Sequence, residues 1–334
     1  MDYRPKMTSF PWQITPLNPP FGDPGFRLSH LYSGETLFFD LGDLHHLTAR
    51  QILKASRIFI SHAHIDHLVG FDQLLRLNLN RPRQLEFFGP SGITARLGHK
   101  LQGYTWNLTA HYELLVIVHE IGDHEIISSE FACRNKFLPG RRDSRPRTDP
   151  VIYREATFSV LSAALDHGIT SLAFILQEPL QVNFRSEALQ RLGLVPGPWL
   201  SRIRQALQSG SSPETPVPVM NRTLPLGQIA VDIALVRPGL KIAYLADFGL
   251  TSENLERIVP LISGADLLLC EAAFLEEEAD KARATFHLTA GQAGRLAALA
   301  GVKRLQLFHF SPRHSNQAES FYTQARAHFS GPVT

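Results

Sequence analysis

RIFISHAHIDHLVG, residues 57–70, decides how the rest of the chain is read. The apolar run Ile58, Phe59, Ile60 leads into His62, His64, Asp66 and His67, four side chains that can bind metal within six residues. Leu68, Phe71 and Leu75 follow at helical spacing, so the stretch predicts a strand, a loop and a helix. In extended backbone alternate side chains point the same way, and His62 and His64 can share one ion. As the chain turns towards the helix, Asp66 and His67 aim elsewhere, which suits a second ion. A histidine-rich loop without metal is the bland alternative. Three histidines and a carboxylate this dense, directly after an apolar strand, favour metal.

Composition narrows the rest. At 334 residues the chain is long enough for one large domain or two ordinary ones, and either can bury a substantial core. Lys+Arg 33 against Asp+Glu 31 gives a net charge of +2, so any case for nucleic acid must rest on local patches. Cys133 and Cys270 are the only cysteines, too few for a disulfide framework or a thiolate zinc site. MDYRPKMTSFPW does not resemble a secretory signal, and no apolar run approaches a membrane span. The expected location is the cytoplasm, with no membrane association. Fifteen histidines are the unusual number.

Upstream of the motif, residues 1–30 are rich in Pro and Gly and predict an irregular lead-in with one short strand. TLFFD, residues 36–40, is a buried strand ending on an acid, and residues 44–54 can form a helix. Downstream, a strand at 86–88 reaches the turn sequence GPSG, followed by a helix over 93–101 and strands over 113–118 and 125–131. Residues 134–154 hold seven Lys or Arg against Asp143 and Asp149, with four Pro or Gly among them. This basic loop is either a solvated hairpin tip or a phosphate-contacting segment through Arg141, Arg142 and Arg145.

A strand over 157–164 delivers Asp166 and His167, and another runs over 170–177. Residues 178–232 form an inserted arm, expected to contain a helix over 186–192, a second helix to about 207, and the disordered-looking SGSSPETPVP. The last third is regular. A strand over 241–246 ends on Asp247, Thr251 caps a helix over 252–263, and a strand over 266–270 ends on Glu271. Thr289 and Gln292 have capping-box spacing, Gly301 stops that helix, and a strand over 305–308 ends on His309.

His62, His167, Asp247, Glu271 and His309 therefore each follow the C-terminal end of an apolar strand, where open α/β sheets place their chemistry. Any one alone could be structural. Five repeats of the same placement point to one convergent site.

At these positions the chain resembles the metallo-β-lactamase superfamily, and within it the ribonuclease Z family. LLCEAAF at 268–274, HLTAGQAG at 287–294, HFSPRH at 309–314 and GLVPGPWLSRI at 193–203 carry the narrower likeness. The resemblance implies an α/β (α+β) fold, a four-layer αββα sandwich forming a single domain over 1–334 with the arm inserted. It implies that His62, His64 and His167 hold one ion, that Asp66, His67 and His309 hold the other, and that Asp247 bridges. The ions would be divalent, with zinc suited to the donors and manganese or iron compatible. The implied activity is endonucleolytic removal of 3′ trailers from precursor tRNA by a metal-bridging hydroxide. Asp66 would handle the water, and His287 would be the general acid, oriented by Glu271. Gly197, Pro198, Arg202 and Arg204 of the arm would contact substrate, and a homodimer is implied.

The chain departs from the family pattern in three places. NPPFGDPGFRLSH at 18–30 stands where a Gly-Thr-Gly loop is usual, YLADFG replaces Gly-Asp-Thr around Asp247, and arginines replace arm lysines. Two other functions stay open on sequence alone: a hydrolase of a small phosphodiester or other ester, and a non-catalytic RNA-binding protein.

Overall fold

The structure, a computed structural model, describes residues 11–334. The part of the predicted lead-in at residues 1–10 lies outside the described residues. The remainder begins with two strands where one was expected, β1 (Trp12–Pro16) and β2 (Phe26–His30), paired antiparallel. They join β3 (Thr36–Phe39), β4 (Arg57–Phe59), β5 (Gln84–Pro90), β6 (Leu115–Ile121), β7 (Glu125–Ala132) and β8 (Pro139–Pro146) in one eight-stranded sheet, in sequence order. Between them lie α1 (Ala49–Ile52), α2 (Phe71–Asn78) and α3 (Ile93–Gln102).

Helix α1 is much shorter than the helix expected over 44–54. The Asp43 carboxylate accepts from the His45 N–H and makes a turn there, so the helix starts only at its Thr48 capping box. The basic stretch is also corrected: most of 134–154 is sheet rather than loop. Strand β8 pairs with β7 and is exposed along its whole length. Its prolines sit at its two ends on an edge strand, where a missing N–H is tolerated, and its charge discourages pairing with another edge.

Strands β9 (Val151–Arg154), β10 (Ser159–Asp166) and β11 (Thr170–Gln177) enter a second sheet, of six strands. The chain then builds β12 (Gln181–Phe184), α4 (Ser186–Arg191), α5 (Pro198–Gln208), β13 (Pro216–Val219), β14 (Arg222–Pro225), α6 (Leu226–Ile233) and β15 (Ala234–Arg237). It returns as β16 (Lys241–Leu245), α7 (Ser252–Ile262), β17 (Leu267–Glu271), α8 (Ala279–Ala284), α9 (Ala290–Leu299), β18 (Leu305–Phe308) and α10 (Ala318–Arg326). The second sheet runs β18-β17-β16-β11-β10-β9.

Two compact units result, one of described residues 11–153, 160–175 and 241–334, the other of residues 154–159 and 176–240. In the first, the sheets meet through aromatic rings: Phe39 and Phe59 lie against Phe174, and Phe26 against Tyr244 and Phe308. Helices α1 to α3 cover the outer face of one sheet, through Ile52, Phe71, Leu74 and Leu97. Helices α7, α9 and α10 cover the other, through Ile258, Leu296 and Phe321. This is the expected αββα layering, in which each apolar face is buried by a neighbouring layer.

The second unit has a core of its own, in which Trp199, Ile203, Val217, Val219, Ile229 and Ile233 pack together. SGSSPETPVP is not wholly irregular, because Pro216–Val219 pairs with β14. Val217 and Val219 alternate inwards while Pro216 and Pro218 face out, a period-2 pattern that the prolines mask in the sequence.

Candidate metal centre

The candidate side chains stand at strand ends, each set by the local backbone. After β4 the chain enters a short 3-10 turn, Ile65–His67, which rotates Asp66 and His67 away from the line of His62 and His64. Gly70 allows that loop to lie against the segment after β3, since a Cβ there would stand 2.4 Å from the Gly42 carbonyl oxygen. His167 follows β10, Asp247 follows β16, and His309 follows β18 with φ of 62°, a left-handed conformation unusual for a non-glycine residue.

These side chains converge on Asp247. Its Oδ2 lies 3.7 Å from His62 Nε2, 3.3 Å from His67 Nε2 and 3.7 Å from His167 Nε2, and its Oδ1 lies 3.3 Å from His309 Nε2. His64 Nδ1 is 2.9 Å from His62 Nε2. Asp66 Oδ2 reaches 3.6 Å from His67 Nε2 and 3.7 Å from His309 Nε2. Two groups suited to metal emerge, His62, His64, His167 with Asp247, and Asp66, His67 with His309; the potential ligand atoms within each lie within 4.8 Å of one another. A third such group joins His287 to Asp247 and His309.

The surroundings fix which nitrogens face inward. His167 Nδ1 donates to the Phe286 carbonyl at 2.8 Å, which leaves Nε2 with its lone pair turned to the centre. His67 Nδ1 lies 2.8 Å from Asp40 Oδ2, and its buried Nε2 has no hydrogen-bond partner among the described residues. Asp247 Oδ1 is likewise buried and without a hydrogen-bond partner among the described residues. Buried polar atoms in that state are costly unless something else meets them.

Electrostatics point the same way. Burial pushes His62 down to about 2 and also lowers His64, so both are neutral donors. For His67 and His309, burial opposes the charged form, but the surrounding carboxylates together outweigh it, Asp247 and Asp40 at His67 and chiefly Asp247 at His309, and raise both. Burial would raise Asp247, yet His309 and His67 hold it well below the usual carboxylate range. Positive charge is thus demanded at the centre of a cluster of nitrogen and oxygen donors without thiolate. A divalent cation meets that demand, and the residues present fit one.

His287 sits at the rim, with Nδ1 3.2 Å from both oxygens of Glu271. Burial lowers this imidazole, but Glu271 and Asp247 together outweigh burial and its pKa rises to about 9. Glu271 is fully buried and also accepts from the Phe248 and Ala273 N–H groups, so its orientation is fixed from two sides.

Not every predicted site residue lies at this centre. Arg141, Arg142 and Arg145 are on exposed β8. Gly197 caps α5 with Pro198 as its first residue, Arg202 is exposed on that helix, and Arg204 lies over the Phe184 ring. Trp199 packs in the core of its unit. Sequence reasoning missed the support beneath the ligands, namely Ser61, Tyr244 and Asn254. It noted the acid at the end of TLFFD without giving Asp40 a task. Its φ of 57° on a buried non-glycine residue is invisible in sequence.

Comparison with known proteins follows the same line. The family described as Beta-lactamase superfamily domain matches residues 202–310. Ribonuclease Z of Deinococcus radiodurans is 33% identical over 286 residues, covering 84% of each chain. Among solved structures, the metallo-β-lactamase fold protein YhfI from Bacillus subtilis aligns with a TM-score of 0.57 at 15% identity, over 98% of this chain and 96% of that one. The short form of human tRNase Z aligns with a TM-score of 0.51 at 20% identity, over 91% and 92%. The structures establish the fold; the identity to a full-length relative establishes the narrower kinship, and the chain belongs to the ribonuclease Z family of hydrolases.

Proposed function

We propose that this protein is a metal-dependent endoribonuclease that removes 3′ trailers from precursor tRNA. The observation that carries the reading is the convergence of His62, His67, His167 and His309 on the two oxygens of Asp247, within 3.7 Å. His62, His64 and His167 would hold one divalent ion, Asp66, His67 and His309 a second, and Asp247 would bridge them, with zinc suited to the donors. Two such ions supply Lewis acidity, lowering the pKa of a shared water towards neutrality and neutralising phosphate charge. Asp66, whose side chain is 32% exposed, is the carboxylate that would take a proton from attacking water. His287 is the acid for the departing 3′ oxygen; with Nδ1 turned to Glu271, Nε2 is the nitrogen that would give the proton.

The register supports a role for β8 in gripping RNA. Pro90 pairs with Ile121, Ile121 with Ile126 and Ile126 with Arg145, while Phe59 pairs with Phe88 one strand earlier. Arg145 therefore sits level with the start of the metal loop, four strands across, roughly 19 Å at the usual strand spacing. Arg142 and Arg141 continue along the same edge. On the second unit, Gly197, Pro198, Arg202 and Arg204 are the proposed substrate contacts. The family resemblance supports a homodimer, and two buried free cysteines accord with a reducing cytoplasm.

The test is a 3′-extended precursor tRNA beside bis-p-nitrophenyl phosphate, with Asp66→Ala as control. Cleavage of both by the wild type and of neither by the variant is expected. Cleavage of the small ester but not of the tRNA overturns the substrate.

A further inference from the structure

The loops carrying His167 and Asp247 follow β10 and β16, and these strands are not neighbours, because β11 lies between them in the sheet. No ladder therefore sets the spacing of the two loops. A single side chain does so instead. Asn254, third residue of α7 and 1% exposed, accepts from the Asp166 N–H at 2.9 Å through Oδ1. Its Nδ2 donates to the Asp166 carbonyl at 3.1 Å and to the Gly249 carbonyl at 2.7 Å. Asp166 immediately precedes His167, and Gly249 lies two residues after Asp247. One backbone bond, Gly249 N–H to Asp166 O at 2.9 Å, accompanies the side chain across the same gap.

The helix start holds Asn254 still. Thr251 Oγ1 accepts from the Asn254 N–H at 3.1 Å and caps α7, so the residue that reaches the loops is pinned by its own backbone. Only a carboxamide satisfies this arrangement at this length. Aspartate would set a carboxylate against two carbonyl oxygens, and leucine would leave the Asp166 N–H without its acceptor and take one donor from each carbonyl, which would keep only the Gly249 and Thr251 N–H groups.

We infer that Asn254 is a positioning residue for the metal centre, fixing the distance between His167 and Asp247 without touching either. The inference rests on the reading of the cluster as a two-ion site. Supports of metal ligands generally contribute 10- to 100-fold to affinity or activity. The His167 group depends on both loops, whereas the Asp66, His67, His309 group shares only Asp247 with them. Losing Asn254 should therefore weaken one ion more than the other.

The experiment compares wild type, Asn254→Ala and Asn254→Ser by zinc titration against a chromophoric chelator. Melting in EDTA and kinetics on bis-p-nitrophenyl phosphate accompany the titration. Alanine is well tolerated inside a helix, and serine keeps part of the hydrogen bonding, so serine serves as the readable variant should alanine fail to fold. The expected result is roughly 10- to 100-fold weaker binding of one of two zinc equivalents in Asn254→Ala, with serine intermediate. In parallel, kcat should fall with KM within about threefold. Zinc affinities matching wild type in the folded variants, even with a lower melting temperature, would make Asn254 merely structural and overturn the inference. Wild-type protein that binds no divalent ion overturns the two-ion reading, and this inference with it.

Discussion

The hydroxyl of Tyr244, in β16 of the six-stranded sheet, donates to Oδ2 of Asp40, at the end of β3 in the eight-stranded sheet, at 2.7 Å. The same carboxylate accepts from Ser61 N–H and Ser61 Oγ, both at 2.7 Å, and lies 2.8 Å from His67 Nδ1. One buried acid thus joins the first metal motif to the strand that delivers Asp247. Removing the hydroxyl with Tyr244→Phe leaves Asp40 three donors and costs about 1.5–3 kcal/mol, the range for a hydrogen bond to a charged group. Urea unfolding of metal-free protein measures it. An unchanged midpoint would mean that the two sheets do not depend on this bond.

Metal should stabilise the fold as well as serve chemistry, because His67 Nε2 and Asp247 Oδ1 are buried without hydrogen-bond partners among the described residues. Zinc at about 100 times its dissociation constant adds about 2.7 kcal/mol per site through binding to the folded state alone. Thermal melts with zinc, and again after chelation, should differ upward for wild type. Asp247→Ala should lose most of that rise. An equal rise in Asp247→Ala would remove this residue from the centre.

His287 stands at ligand distance from Asp247 and His309, yet Glu271 engages its Nδ1. The two roles separate by metal content. If His287 is the acid, His287→Asn lowers kcat on precursor tRNA about 10²- to 10⁴-fold while two equivalents of metal stay bound. Metal analysis of the purified variant decides it. Loss of one equivalent would make His287 a ligand.

The candidate cluster was legible because its residues are few, chemically distinctive and placed after strands of high apolar content. His62, His167, Asp247, Glu271 and His309 stood out together by their place after apolar strands, and the family resemblance supplied their expected roles. Their support was not legible. Tyr244 and Asn254 act through tertiary hydrogen bonds spanning 204 and 88 residues of sequence, and nothing local marks them. The misread segments share a physical cause: proline and glycine signal irregular backbone, yet Pro139, Pro146, Pro216 and Pro218 all occur in strands with one open edge. The shortened α1 was missed because Asp43 competes for the backbone with its own side chain.

The arginines of β8 are not equivalent, which gives the RNA-binding proposal its sharpest test. Arg141 Nε is 2.6 Å from Asp143, and Arg145 donates to the Ile152 carbonyl at 3.0 Å. Arg142 makes no ion pair among the described residues, so its charge is the most available to a phosphate. Each phosphate contact adds about 0.9 to the slope of log affinity against log salt on a duplex. Charge reversal of Arg141, Arg142 and Arg145 to Glu should lower that slope by roughly 2–3 and weaken precursor tRNA binding at low salt. Arg142→Glu alone should carry the largest single share. Hydrolysis of bis-p-nitrophenyl phosphate should stay unchanged in both variants, because this small ester reaches the metal centre without spanning four strands. Binding measured over a salt series, beside the small-ester rate, separates the outcomes. Unchanged tRNA affinity in the triple variant would return β8 to the role of a charged edge that keeps other strands away.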